Sequence, residues 1–115
     1  MLTVEKLQQY GANTQEGLAR CMNNETFYLC IVDMALKAPG FEALADAIRR
    51  DDRKAAFEAA HSLKGMLGNV ALTPLFQLTS EVTELLRADR EADYPARLEE
   101  ILRQRNALIA LRDSE

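Results

Sequence analysis

The chain predicts an all-α protein, an antiparallel four-helix bundle with short N-terminal helices. Apolar residues recur at helical spacing along its length, and no segment shows the strict alternation of a half-buried strand. Proline, glycine and short polar residues divide the sequence into pieces of helix length. With 115 residues, 48% of them hydrophobic, the chain can bury one modest core, which predicts a single domain over 1–115.

The first short helix is expected from about Thr3 to Tyr10, ending at Gly11. A second starts behind Thr14 and carries Leu18 and Met22, so that the two form a lid over one end of a bundle. Asn24 is placed to cap a third helix, on which Phe27, Cys30, Ile31 and Met34 share a face until Pro39-Gly40 interrupts it. Phe41, Leu44, Ala45 and Ile48 then resume the pattern. Asp51 or Asp52 can accept the free amides of the next helix, which should run to about Asn69. Thr73-Pro74 predicts another start, with threonine as N-cap and proline at the first helical position, where its missing N–H does no harm. Leu75, Leu78, Val82, Leu85 and Leu86 form that helix's buried stripe. The polar run from Ala88 to Asp93 reads as a loop, and Leu98, Ile101, Leu102, Leu108 and Ile109 mark a final helix. Short connections between successive amphipathic helices imply antiparallel neighbours.

Bulk properties remove several function classes. Fourteen Lys and Arg against eighteen Asp and Glu give a net charge of −4, which argues against binding nucleic acid duplexes or acidic membranes through a broad basic surface. Cys21 and Cys30 are too few for a disulfide framework and have no histidine partners spaced for zinc, so they read as reduced residues in or near the core. The run Met1-Leu2-Thr3-Val4-Glu5-Lys6 lacks the sustained apolar stretch of a signal peptide, and no segment approaches the roughly 18 apolar residues of a membrane span. The expectation is a cytoplasmic protein without a membrane association.

The chain has one histidine, His61, within Ala60-His61-Ser62-Leu63-Lys64-Gly65-Met66-Leu67-Gly68-Asn69. Taking Leu63 as zero on a helical wheel, Ala56, Ala59, Ala60, Met66, Leu67 and Val70 fall within about 60° of it, and His61 falls about 160° away. The histidine therefore points away from the core. Gly65 and Gly68 share its outward surface, each costing a helix roughly 0.5–1 kcal/mol relative to alanine. Gly65 clears the space beside the ring, because a helical side chain four positions later leans back toward it. Gly68, a turn further on, lets another backbone or helix approach closely. Lys64 is a helical neighbour able to bring a cation to an anion carried on the ring. Phe57, one turn earlier, and Glu58 also border this face as candidate partner contacts, although the Phe57 ring can equally fold back against a neighbouring helix.

These residues resemble those of the histidine-containing phosphotransfer (HPt) domains of multistep two-component relays. The family signature, approximately His-x-Leu-Lys-Gly-x-x-small-Asn-Leu-Gly with apolar residues following, is approached by His61, Leu63, Lys64, Gly65, Gly68, Asn69 and Val70. Leu75, Leu78 and Val82 continue as the family's next helix does, and Glu16-Gly17-Leu18-Ala19-Arg20 with Phe27-Tyr28-Leu29 looks like its N-terminal portion. Two positions depart. Ala71 stands where many relatives carry glycine at the turn leaving the histidine helix, and Thr83 stands where a Gln or Glu of the following helix often approaches the site.

The resemblance implies that His61 is phosphorylated at Nε2, taking a phosphoryl group from an aspartyl phosphate on one receiver domain and passing it to an aspartate on another. The partners it implies are the receiver domains of a hybrid histidine kinase and of a response regulator. Phosphoryl transfer depends on in-line positioning and charge stabilisation, and most of that machinery, Mg²⁺ included, would belong to the receiver. The chain itself is expected to hold no cofactor or metal. It has no Gly-x-x-x-x-Gly-Lys-Ser/Thr loop and no recognisable ligand spacing around its one histidine, so a phosphocarrier without ATP-dependent kinase activity is expected. A monomer is expected, since four helices can enclose their own apolar faces. Two other readings compete: a non-catalytic adaptor with an HPt-like fold, and the HPt-like phosphoacceptor domain of a chemotaxis-type histidine kinase. The helix pair of a dimerising kinase fits less well, because Ser62 and Met66 stand where such kinases usually carry an acidic residue and a proline.

Overall fold

Polar side chains placed just ahead of apolar runs decide where the helices begin. The computed structural model describes residues 1–114 and contains seven helices: α1 (Val4–Tyr10), α2 (Thr14–Arg20), α3 (Glu25–Leu36), α4 (Gly40–Arg49), α5 (Arg53–Asn69), α6 (Thr73–Arg87) and α7 (Tyr94–Asp113). Thr3, Asn13, Asn24, Asp52 and Asp93 each accept a hydrogen bond from the amide three residues on, at 3.0–3.2 Å, and so start α1, α2, α3, α5 and α7. Helix α4 begins behind Pro39 without a side-chain cap.

Besides Thr14, which is the first residue of α2 and is preceded by Asn13 as cap, three boundaries or faces differ from the sequence expectation. Met22 lies beyond α2, in left-handed backbone and 91% exposed, because α2 closes at Cys21. Thr73 is the first residue of α6 and not its cap. Leu72 holds the cap position, and the Thr73 hydroxyl donates back to the Ala71 carbonyl at 3.3 Å. The third difference is a rotation of α3: Tyr28, Val32, Ala35 and Leu36 are buried, whereas Phe27 is 52% and Met34 65% exposed. Cys30 is exposed with them, and only Cys21 is buried; both are free thiols.

Helices α4, α5, α6 and α7 pack in a closed ring, each against the next and α7 against α4, while α3 packs against α7. The core draws Phe41 and Leu44 from α4, Leu63 and Leu67 from α5, Leu75 and Val82 from α6, and Ile101 and Leu108 from α7. Each such side chain contributes roughly 1.5–3 kcal/mol on burial. Gly40 lets α4 start directly against α5, since a Cβ there would lie 2.9 Å from Leu63 Cγ. Two threonines of α6 are also enclosed. Thr79 and Thr83 donate to the Leu75 and Thr79 carbonyls at 2.8 and 2.7 Å, so α6 satisfies its buried hydroxyls within itself.

The N-terminal helices grip the corner between α5 and α6. The Tyr28 hydroxyl donates to the Val70 carbonyl at 2.9 Å, and the Asn13 amide donates to the Ala71 carbonyl at 3.0 Å. Arg20 Nη1 donates to the carbonyls of Gly68 and Asn69 at 2.6 and 3.0 Å, placing a cation at the negative end of α5, while Arg20 also pairs with Glu16. The Tyr10 hydroxyl accepts from the Leu75 amide at 3.1 Å and donates to Gln104 at 2.8 Å.

Candidate functional site

Helix α5 turns Ala56, Ala60, Leu63 and Leu67 inward, and this fixes the direction of everything else on it. His61 is exposed on the opposite surface, with Glu58 and Gly65 exposed beside it. A Cβ added at Gly65 would meet no heavy atom within 4 Å, so the surface next to the imidazole is open. Gly68 is different. A Cβ there would stand 3.0 Å from Phe76 Cδ1 and Cε1, so the close approach it permits is made by α6 of the same chain.

Phe57, Lys64 and Gly68 lie along the edge of α5 that borders α6. The Phe57 ring is half-buried and stacks on His61, with centroids 5.7 Å apart and planes inclined by 16°. Arg87 of α6 sits over the same Phe57 ring at 5.1 Å, in cation–π geometry. Lys64 Nζ lies 3.8 Å from Glu84 Oε1, and Arg87 Nε donates to Glu84 Oε2 at 3.2 Å. The candidate site therefore comprises a solvent-facing imidazole with one open flank, at Gly65, and one built flank formed by Phe57, Lys64, Glu84 and Arg87.

Glu84 and Arg87 are not recognisable from the sequence. The available signal is their three-residue spacing on α6, which puts both on one side of that helix, but which side meets α5 depends on the packing of the pair. Thr83 adds nothing to the site: its side chain is fully buried and bonded within α6. Ala71, by contrast, adopts the left-handed conformation that glycine takes readily, with φ 60°. The turn leaving α5 thus keeps a tight geometry at a cost of roughly 1–2 kcal/mol for the alanine. The Asn13 and Thr73 bonds to the Ala71 carbonyl help to offset it.

Among the described residues no group of three or more His, Cys, Asp and Glu is placed to hold a metal ion. No helix there is long and apolar enough to cross a membrane.

A family model for the Hpt domain matches residues 39–114, which takes in α4 to α7 and the whole of the surface around His61. No curated protein and no solved structure matches the chain. Covering about two thirds of the sequence, that match shows that the chain belongs to the Hpt domain family, whose members carry phosphoryl groups in phosphorelays.

Proposed function

We propose that this protein is a phosphorelay intermediate in which His61 receives a phosphoryl group from one receiver-domain aspartate and delivers it to another. The observation that carries the reading is the exposed imidazole with open space over Gly65, and with Lys64 three residues on along the same helix. In the forward step Nε2 attacks phosphorus, the bond from phosphorus to the aspartyl oxygen breaks, and the aspartate leaves as a carboxylate. Lys64 offsets part of the charge that arrives on His61, and Phe57 fixes the ring plane by stacking. The receiver supplies Mg²⁺ and in-line geometry, and the carrier needs no nucleotide.

Short connections between helices packed side by side favour an antiparallel arrangement of α4 to α7, and the contacts of residues 1–38 with that ring favour one domain for the whole chain. The receiver domains of a hybrid kinase and of a response regulator would dock over α5 around Phe57, Glu58 and Gly65. We place the protein in the cytoplasm as a monomer; the free thiols fit a reducing compartment.

The test is transfer from receivers pre-phosphorylated on aspartate, with Mg²⁺, followed by intact mass and by acid-labile, base-stable label. Label on the native chain and none on His61→Gln is expected; receivers that bind without any label appearing would leave the adaptor reading. Gly65→Leu sharpens the result. It should leave the fold at least as stable, since glycine costs an exposed helix site roughly 0.5–1 kcal/mol, while slowing transfer by about tenfold or more through misplacement of the receiver.

A further inference from the structure

Glu84 pairs with the two cations of the built flank next to His61. Its two carboxylate oxygens face Lys64 Nζ at 3.8 Å and Arg87 Nε at 3.2 Å, and Arg87 in turn lies over the Phe57 ring on which His61 stacks. Lys64 is 26% exposed and lies at the edge of α5 that borders α6, its ammonium beside Glu84. Glu84 is 56% exposed and, among the described residues, its carboxylate pairs with these two cations alone. It has no part in the core and no bond to the backbone of another helix.

We propose that Glu84 is a positioning residue that sets how firmly the phosphoryl group is held, by competing with it for Lys64 and Arg87. The inference rests on the phosphorelay reading of His61. In the unmodified protein Glu84 offsets one of the two positive charges on Lys64 and Arg87. When His61 becomes phosphohistidine, a group carrying nearly two negative charges enters the same neighbourhood. Lys64 then turns from a carboxylate to the phosphoryl oxygens, and Glu84 becomes a like charge beside them. Both effects weaken the phosphorylated state relative to the free one. The phosphoryl group is held loosely enough to leave for the next aspartate, which suits a carrier better than tight capture does.

The test compares the full chain with Glu84→Gln, which keeps the shape and removes the charge. Glu84→Asp keeps the charge, and Glu81→Gln alters a carboxylate on the same helix that pairs instead with Arg97. Native protein and one variant, one of them ¹⁵N-labelled so that intact mass separates them, are mixed in equal amounts. Potassium phosphoramidate serves as donor: its P–N bond breaks, ammonia leaves, and the new P–N bond forms at Nε2. A trace of a receiver domain shown to exchange with the native protein brings the pair to equilibrium, and the ratio of the two phosphorylated masses reports their relative hold on the group. Glu84→Gln should carry about three- to tenfold more label than native protein, with the excess shrinking as salt is raised. Glu84→Asp should stay within about twofold, and Glu81→Gln should match the native chain. Equal labelling of Glu84→Gln and native protein, or the same gain in Glu81→Gln, overturns the proposal. Absence of label on native His61 from phosphoramidate and receivers alike overturns the phosphorelay reading instead, and this proposal with it. If phosphoramidate labels the chain but no receiver exchanges with it, the relay fails and this proposal, which rests on it, fails with it.

Discussion

The ring of α4 to α7 and the N-terminal segment of residues 1–38 hold the histidine helix by different means. Along its length α5 is fixed by apolar contacts, with Leu63 and Leu67 buried and α4 seated against Leu63 at Gly40. At its C-terminal end it is fixed by hydrogen bonds to main-chain carbonyls from Arg20, Tyr28 and Asn13. The family match covers the first arrangement and stops short of the second. Apolar packing sets which way His61 faces, whereas the polar contacts set where its helix stops and how the next begins. The two therefore fail differently when disturbed.

The largest effect is expected in the ring. Leu63→Ala should lower stability by about 2–5 kcal/mol in urea unfolding, because the side chain is buried to 1% and its removal leaves a cavity. At the joint between the two regions, Gly17→Ala would drive a methyl into the Tyr28 ring and should cost about 1–3 kcal/mol by the same measurement. A smaller loss would mean that α2 moves off Tyr28 freely and that the N-terminal grip is slack. Tyr28→Phe removes one hydroxyl and leaves the Val70 carbonyl unpartnered, for a loss of about 1–2 kcal/mol.

The same tyrosine gives the comparison a pH signature. Burial pushes Tyr28 from 10.0 up to about 12, with Cys21 adding a smaller push, so the folded state keeps its proton after the unfolded chain has lost it. That stabilisation is complete below pH 10 and disappears as the pH rises through about 12. Stability of the native protein should fall across this window, and less steeply in Tyr28→Phe, when urea midpoints are compared at several alkaline pH values. Tyr10 is raised as well, chiefly by burial, so the variant keeps part of the slope. The smallest effect belongs to Arg20→Gln. Its contacts are exposed and screened, and a loss below about 1 kcal/mol that shrinks in salt is expected from thermal melts at two ionic strengths.

Helix α5 was legible in the sequence because its two sides differ sharply: alanines and leucines on one, histidine, glutamate and glycines on the other. Helix α3 was not, because it is apolar nearly all round. Phe27, Cys30, Ile31 and Met34 make as good a stripe as Tyr28, Val32, Ala35 and Leu36. What selects the second stripe is distant in sequence: the space left by Gly17 and the carbonyl of Val70, both of which receive Tyr28. Glu84 and Arg87 escaped notice for a related reason. Helix α6 has an obvious buried stripe, but periodicity says nothing of the longitudinal offset between α5 and α6, and that offset alone brings Lys64 to Glu84 and Phe57 to Arg87. Residues whose role depends on one helix were visible, and residues whose role depends on two were not.

The Tyr10 hydroxyl, which accepts from α6 and donates to α7, acts as a rivet through three helices at one end of the ring. The opposite end, where α5 starts and α6 stops, is bridged instead by Arg53 to the exposed carboxylates of Asp89 and Glu91. The two rims of the ring are thus closed by different chemistry. The Tyr10 hydrogen bonds are part-buried, whereas Asp89 and Glu91 are 79% and 92% exposed. Salt therefore weakens the Arg53 rim of the ring and leaves the Tyr10 rim as it is.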